Sequence, residues 1–198
     1  MDDVLDGRTA RRQRNRDAVL DAVLELFTEG SLSPGAPEVA ERSGVSLRSV
    51  YRYFDDTDEL IRLAIARNMS RIRPLFVVEG LGEGAMEERV ERIVASRVRL
   101  FSENAPMMRA TLRTAPTNEI IRQQYEHNLE ELRRQIEAMF EPELGLLDRV
   151  EQREVVAAMD VLLGFSALEH LIANRGCSVD ECRRILRRSV SAVLARPN

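Results

Sequence analysis

Apolar side chains recur through most of this chain at steps of three and four residues, the spacing that puts them on one face of an α-helix. That period predicts helices over 60–72, 86–102, 106–114, 117–140, 151–174 and 179–195. Pro74 is expected to interrupt the first of these, and Gly80, Gly82 and Gly84 to form a loop before the second. No stretch alternates with the two-residue period of a half-buried strand, and no segment repeats. The fold class this implies is all-α.

Residues 38–60 carry the densest local signals. Val39 and Ala40 supply the apolar side of a short helix that Gly44 ends, because a helix stop often needs a left-handed residue and glycine adopts one without steric cost. Ser46 has the chemistry to cap the next helix, with Val45 and Val50 placed as the hydrophobic staple that sets its entry angle. On that helix Val50 and Phe54 share the inward face. Arg48 and Arg52, also four apart, point roughly the opposite way, with Tyr51 and Tyr53 on either side of them. Arginines so placed can read guanine O6 and N7 in a major groove while tyrosine hydroxyls reach phosphates on its walls. The alternative is an ordinary solvated arginine face with half-buried tyrosines. A third helix follows at once, with Asp56 as its cap and Glu59 completing a pair resembling a capping box.

The run Val39-Ala40-Glu41-Arg42-Ser43-Gly44-Val45-Ser46, followed by Val50-Tyr51-Arg52-Tyr53-Phe54 and Glu59-Leu60, resembles the N-terminal domain of TetR-type (TetR/AcrR) transcriptional regulators. Upstream, residues 16–27 resemble that family's first helix. The resemblance covers roughly the first third of the chain. It implies a three-helix helix-turn-helix DNA-binding domain followed by a helical ligand-binding and dimerisation domain, about nine helices in total. The expected boundaries are a flexible basic arm over 1–15, the DNA-binding domain over 16–56 and the regulatory domain over 57–198.

Carried over by position, Leu47, Arg48 and Arg52 face bases, Tyr51 and Tyr53 hold phosphates, and Ser46 and Ser49 stand beside them. The helical wheel puts Leu47 near Phe54, toward the core, whereas the family position faces DNA. Where the family commonly has a lysine at the start of the fourth helix, this chain has Thr57, whose hydroxyl and neighbouring amides can still hold a phosphate. The implied function is that of a dimeric regulator, a repressor in most of the family, released from a palindromic operator on double-stranded DNA by a small-molecule effector. The competing reading is a helical DNA-binding or scaffold protein without ligand control.

Charge fits this once it is divided along the chain. The net charge is −4, yet residues 8–54 carry a surplus of two positive charges, and local charge governs DNA contact. Arg8, Arg11, Arg12, Arg14 and Arg16 stand together with no acid among them. Such an arm either neutralises phosphates, enters a minor groove, or is merely a solubilising tail. All 29 basic residues are arginine, a bias this complete pointing to codon composition rather than function. No apolar run approaches the ~20 residues of a membrane span and no secretory h-region begins the chain, so a cytoplasmic protein without membrane contact is expected.

Catalytic and cofactor chemistry finds no foothold. There is no glycine-rich phosphate loop, nucleophile elbow, metal-ligand spacing or acid–base pair, so neither enzyme activity, metal nor cofactor is expected. Cys177 and Cys182 are expected as reduced thiols.

Two stripes close the chain. Cys182, Ile185, Leu186, Ser189, Val190 and Val193 form one, and Val155, Met159, Leu162, Leu163, Ser166 and His170 the other, with Ala167 among the small residues that permit close approach. Met159, Leu163, Ala167, Cys182, Leu186, Val190 and Val193 are the candidates for a four-helix homodimer interface. The alternative is that they are intrachain core. His170, on the apolar side, is expected in core or interface, and His127 on the surface. For an effector pocket the candidates are Phe76, Phe101, Met108, Tyr125 and Phe165, since aromatics and methionines line adaptable apolar cavities.

Overall fold

The computed structural model describes residues 2–195, with side chains from Gly7 onward. Met1 and residues 196–198, the outer ends of the expected arm and regulatory domain, lie outside the described residues. The described chain is helical throughout: α1 (Asp2–Glu29), α2 (Ala36–Ser43), α3 (Leu47–Tyr53), α4 (Thr57–Phe76), α5 (Met86–Glu103), α6 (Ala105–Thr114), α7 (Glu119–Met139), α8 (Glu141–Leu144), α9 (Arg149–Leu162), α10 (Phe165–Glu169), a π-helical turn (His170–Asn174) and α11 (Val179–Leu194). There is no strand among the described residues.

The all-α expectation holds, and the helix count exceeds it for local reasons. The predicted helix over 151–174 breaks at Gly164, where a Cβ would stand 2.9 Å from the Asp160 carbonyl oxygen. α9 and the segment after it are bent by 42° at this break. The break resets the helical phase, so Phe165 and Leu168 are buried while Ser166 and His170 are exposed. His170 therefore lies outside the core in which the unbroken wheel placed it. Pro74 ends α4 less sharply than expected; the helix carries on to Phe76. The one-turn α8 is not visible in the periodicity, since four residues are too few to show a period.

The chain divides into two compact units. The first is Met1–Arg71 with Pro106–Tyr125, the second Ile72–Ala105 with Glu126–Asn198. The first unit thus takes in α6 and most of α4, beyond the boundary expected at residue 57. Its core is built from Val19, Val23 and Phe27 of α1, Val39 of α2, Val50 and Phe54 around α3, and Leu60, Ile61 and Ala64 of α4. Each such side chain taken from water contributes about 1.5–3 kcal/mol for the larger aliphatics and phenylalanine. Two arginine clasps brace the helices from outside. Arg42 donates to both carboxylate oxygens of Glu29, at 2.7 and 2.6 Å, and Arg67 donates to both of Asp21, at 2.7 and 2.9 Å.

The segment expected as a flexible arm is helical from Asp2 and continuous with the rest of α1. The reason is local: no proline stands between residues 2 and 29, and beyond Gly7 the alanines, arginines and glutamine favour helix.

In the second unit α5 buries Val90, Ile93, Val94, Val98 and Phe101, and α11 packs on α5 and α9. The stripe of α11 does this packing: Cys182 and Val190 are fully buried and Leu186 nearly so. Met159 and Leu163 are likewise enclosed by their own chain, whereas Ala167 and Val193 are half-buried. Five of the seven interface candidates are thus intrachain core. A helical stripe identifies a face that must be covered, not the chain that covers it. Both cysteines are free thiols, and burial pushes the Cys182 thiol up.

Candidate nucleic-acid interface

The corner between α2 and α3 forms as its residues dictate. Gly44 takes a left-handed conformation, φ 68° and ψ 13°, and its N–H donates to the Glu41 carbonyl. Ser46 then caps α3: its Oγ accepts from the Ser49 backbone N–H at 3.4 Å and lies 3.0 Å from the Ser49 hydroxyl. Val45 and Val50, the staple pair, are both in the core, as is Phe54. Asp56 caps α4, its Oδ1 accepting from the Glu59 N–H at 2.7 Å, and the Glu59 carboxylate reaches back to the Asp55 N–H at 2.5 Å.

This corner holds the remaining face of α3 away from the core. Arg48 and Arg52 are exposed, and Tyr51 is 64% exposed. Leu47 is 38% exposed, so at the first turn of α3 it lies outward, as the family position has it and not as the wheel does. Ser49 is half-buried between the two faces. Thr57, at the first position of α4, and Arg14, on α1, are both exposed.

Tyr53 differs from Tyr51. Its ring is only 7% exposed, sits in the core and meets Phe54 edge-to-face at 6.5 Å. Its hydroxyl emerges beside Asn15, Arg52 and Ser49. Hydrogen bonds from Asn15 and then Arg52 hold its pKa below the usual tyrosine value. The Arg52 Nη2 donates to the Ser49 Oγ at 3.2 Å and to the Tyr53 hydroxyl at 3.3 Å, with the guanidinium 5.1 Å from the Tyr53 ring centre. Arg12 approaches the same ring at 5.9 Å, and Arg16 the Phe54 ring at 5.2 Å. Sequence reasoning does not single out Asn15 and Arg12 as partners of α3. Their spacing on α1 places them on one face, but which element that face meets is set only by packing.

The effector candidates are divided between the two units. Phe101 and Phe165 meet edge-to-face at 5.8 Å in the second unit, where Phe76 is also buried. Met108 and Tyr125 belong to the first unit and are half-buried. A separate cleft of about 490 Å³ in the second unit is lined by charged and polar groups of Arg133, Glu137, Glu141, Gln152, Arg153 and Asp160, together with Leu144 and Val156, and by none of those five. No group of three or more potential metal ligands occurs among the described residues, nor is any single described helix long and apolar enough to cross a membrane.

A capped helix-turn-helix with outward arginines has the form of a DNA-reading corner. The family profile of bacterial regulatory proteins of the tetR family matches residues 19–64, which run from α1 into α4 and include both helices of the corner. The match covers the helix-turn-helix segment and not the rest of the chain. No curated protein sequence matches the chain.

Solved structures extend the likeness over most of the chain. A tetR-family transcriptional regulator from Streptomyces coelicolor is similar with a TM-score of 0.68 and 21% identity, over 91% of this chain and 80% of that one. A transcriptional regulator from Rhodococcus has a TM-score of 0.66 and 20% identity, over 92% and 95%. A candidate regulator from Saccharomonospora viridis, solved in complex with choline, has 0.66 and 18%, over 89% and 95%. At these identities the likeness establishes the fold.

Proposed function

We propose that this chain acts in the cytoplasm as a homodimeric repressor that leaves a palindromic operator when a small molecule binds its regulatory part. The observation that carries the reading is the exposed Arg48 on a helix held between a left-handed glycine and a serine cap. Residues 16–56 supply the reading surface. Leu47 and Arg48 address base edges, Ser46 and Ser49 stand at the helix start, and Tyr51, Tyr53, Arg14 and Thr57 hold phosphates on the groove walls. Residues 57–198 supply regulation and pairing.

Pairing has a physical purpose. Two copies present two α3 helices to successive major-groove faces about 34 Å apart, as a palindrome requires. With the stripes of α9 and α11 turned inward, the face left for a second copy holds Val161, 73% exposed, with Ala157 one turn before it, and Ile185 and Ala192 on α11. Regulation requires a ligand with unequal affinity for the DNA-bound and free arrangements. The cleft beside Asp160 has the volume for a small polar molecule, and the choline complex of one structural relative supports ligand binding on this fold.

A second reading, a DNA binder without ligand control, draws support from the tight burial of Phe76, Phe101 and Phe165, which leaves those rings as filled core. The two readings are separated by a metabolite screen with two readouts, melting temperature and release of DNA. DNA recognition itself is tested by selecting sites from a random duplex pool and then replacing Arg48 with alanine. The expected result is a recovered palindrome and a loss of ~1–3 kcal/mol at one operator position. Unchanged affinity in Arg48→Ala would show that α3 does not dock as described.

A further inference from the structure

The arginines of α1 and the last turn of α3 enclose a common depression of about 440 Å³. α1 contributes Arg8, Arg11, Arg12 and Asn15, at steps of three, one and three residues, which is one helical face. α3 contributes Ser49, Arg52 and Tyr53, likewise one face. Four guanidinium groups therefore line a single hollow to which no carboxylate contributes. Like charges gathered this way repel, and an anion placed among them relieves the repulsion and accepts charge-assisted hydrogen bonds.

The orientation of Arg52 adds a second, independent observation. Its Nη2 is tied to the Ser49 Oγ and the Tyr53 hydroxyl, and its guanidinium lies along the Tyr53 ring that Arg12 also approaches. Arg52 thus shares the hollow and the Tyr53 ring with α1, whereas Arg48 is not among the residues lining the hollow. An arginine held by its own helix in this way is preorganised for a ligand in the hollow.

We propose that Arg8, Arg11 and Arg12 of α1, with Arg52 of α3, clasp a phosphate of the DNA backbone, leaving Arg48 as the arginine of α3 that reads bases. The inference rests on the DNA-binding reading above and refines it in two respects. It moves Arg52 from the base recognition that the family resemblance implies to backbone grip, and it gives the basic segment 8–12 a phosphate to hold. A minor-groove role for that segment is disfavoured by its shape. It is helical, and a helix with side chains is about 10–12 Å across, against a minor groove about 6 Å wide.

The test measures DNA affinity of the full-length protein across a salt series, on a selected operator and on a scrambled duplex. Four variants are compared with the wild type: the triple Arg8→Gln, Arg11→Gln, Arg12→Gln; its Arg→Lys counterpart; Arg52→Gln; and Arg48→Ala. Backbone grip predicts that the triple glutamine variant weakens both duplexes by the same factor. It should also flatten the dependence of log K on log salt by ~0.9 for each phosphate that is no longer neutralised. The lysine counterpart should restore that slope. Arg52→Gln should also weaken both duplexes alike, and Arg48→Ala should reduce only the preference between them.

The clasp is overturned if the triple variant keeps the wild-type affinity and slope, or if Arg52→Gln relaxes base preference at a defined operator position. Inorganic phosphate titrated onto the protein alone supplies a further arm: saturable binding there, with no change in DNA slope in the triple variant, would reassign the hollow to a free anion. Failure of the underlying reading has a different signature, namely a wild type that shows no preference between the duplexes. Thermal melts of each variant verify that the fold persists, and the lysine counterpart separates lost charge from lost helix.

Discussion

Two tyrosines two residues apart illustrate how much a neighbour decides. Tyr51 and Tyr53 flank the arginine face equally in the sequence, yet Tyr51 is 64% exposed and Tyr53 only 7%. Tyr53 already shares its hydroxyl with Arg52 and Asn15. Tyr51→Phe should therefore weaken binding to every duplex alike, by about 1 kcal/mol for one neutral hydrogen bond, with melting temperature unchanged. Tyr53→Phe should in addition lower the melting temperature, because it removes a partner from Arg52 inside the folded protein. Fluorescence anisotropy and thermal melts read the two effects separately. Equal behaviour of both variants would mean that the internal bonds of Tyr53 carry no weight.

Arg97 is a charged residue on an apolar stripe. It occupies the buried face of α5 between Val94 and Val98, and is 1% exposed. Its Nη1 donates to Gln135 Oε1 at 2.8 Å and its Nη2 to the Leu132 carbonyl at 2.9 Å. Burial lowers its pKa to about 10, against the opposing pull of the Asp160 and Glu131 carboxylates. The sequence does carry a signal for this burial, an arginine in phase with Val90, Ile93 and Phe101. Its partners on α7 are not legible there, because they lie far along the chain.

At the scale of elements, the α2–α3 corner rests on the conformation of Gly44. Gly44 at φ 68° has open space where a Cβ would go, so alanine there meets backbone strain and no clash. Gly44→Ala should destabilise the protein by about 1–2 kcal/mol in denaturant melts, the cost of a left-handed conformation for an L-residue. A negligible change would mean that the corner relaxes freely. The break at Gly164 works differently, since φ there is −80° and the constraint is the Asp160 carbonyl 2.9 Å from a would-be Cβ. Both glycines punctuate helices, one by conformation and one by room.

At the scale of the molecule, acid should act first on the clasps that brace the first unit. Hydrogen bonding to Arg67, with the charges of Arg71 and Arg67, holds the Asp21 carboxyl below the usual aspartate range in spite of partial burial. A carboxylate depressed on folding contributes stability that is present above its unfolded pKa of ~3.9 and is lost as pH falls through the lower folded value. Melting temperature should thus decline below about pH 4, and Asp21→Asn should decline less steeply while starting less stable at neutral pH. The neutral-pH difference should stay below ~1 kcal/mol, because both partners are partly exposed and solvent screens them. A parallel acid profile in Asp21→Asn would show that this clasp contributes nothing to acid sensitivity. For assembly, Val161→Glu should shift sedimentation from dimer toward monomer without lowering the helical content. A dimer that survives it pairs through another face.

What the amino-acid order determined alone is everything whose cause lies within about one helical turn. The glycine stop, the serine cap, the inward Val50 and Phe54, the outward Arg48 and most helix spans all follow from covalent geometry and spacing. Tertiary structure decided which faces meet. It set the stripes of α9 and α11 against their own chain's core, sank the Tyr53 ring while leaving Tyr51 open, and laid the arginines of α1 beside Arg52. Periodicity states that a surface must be covered, and only packing between distant segments states by what.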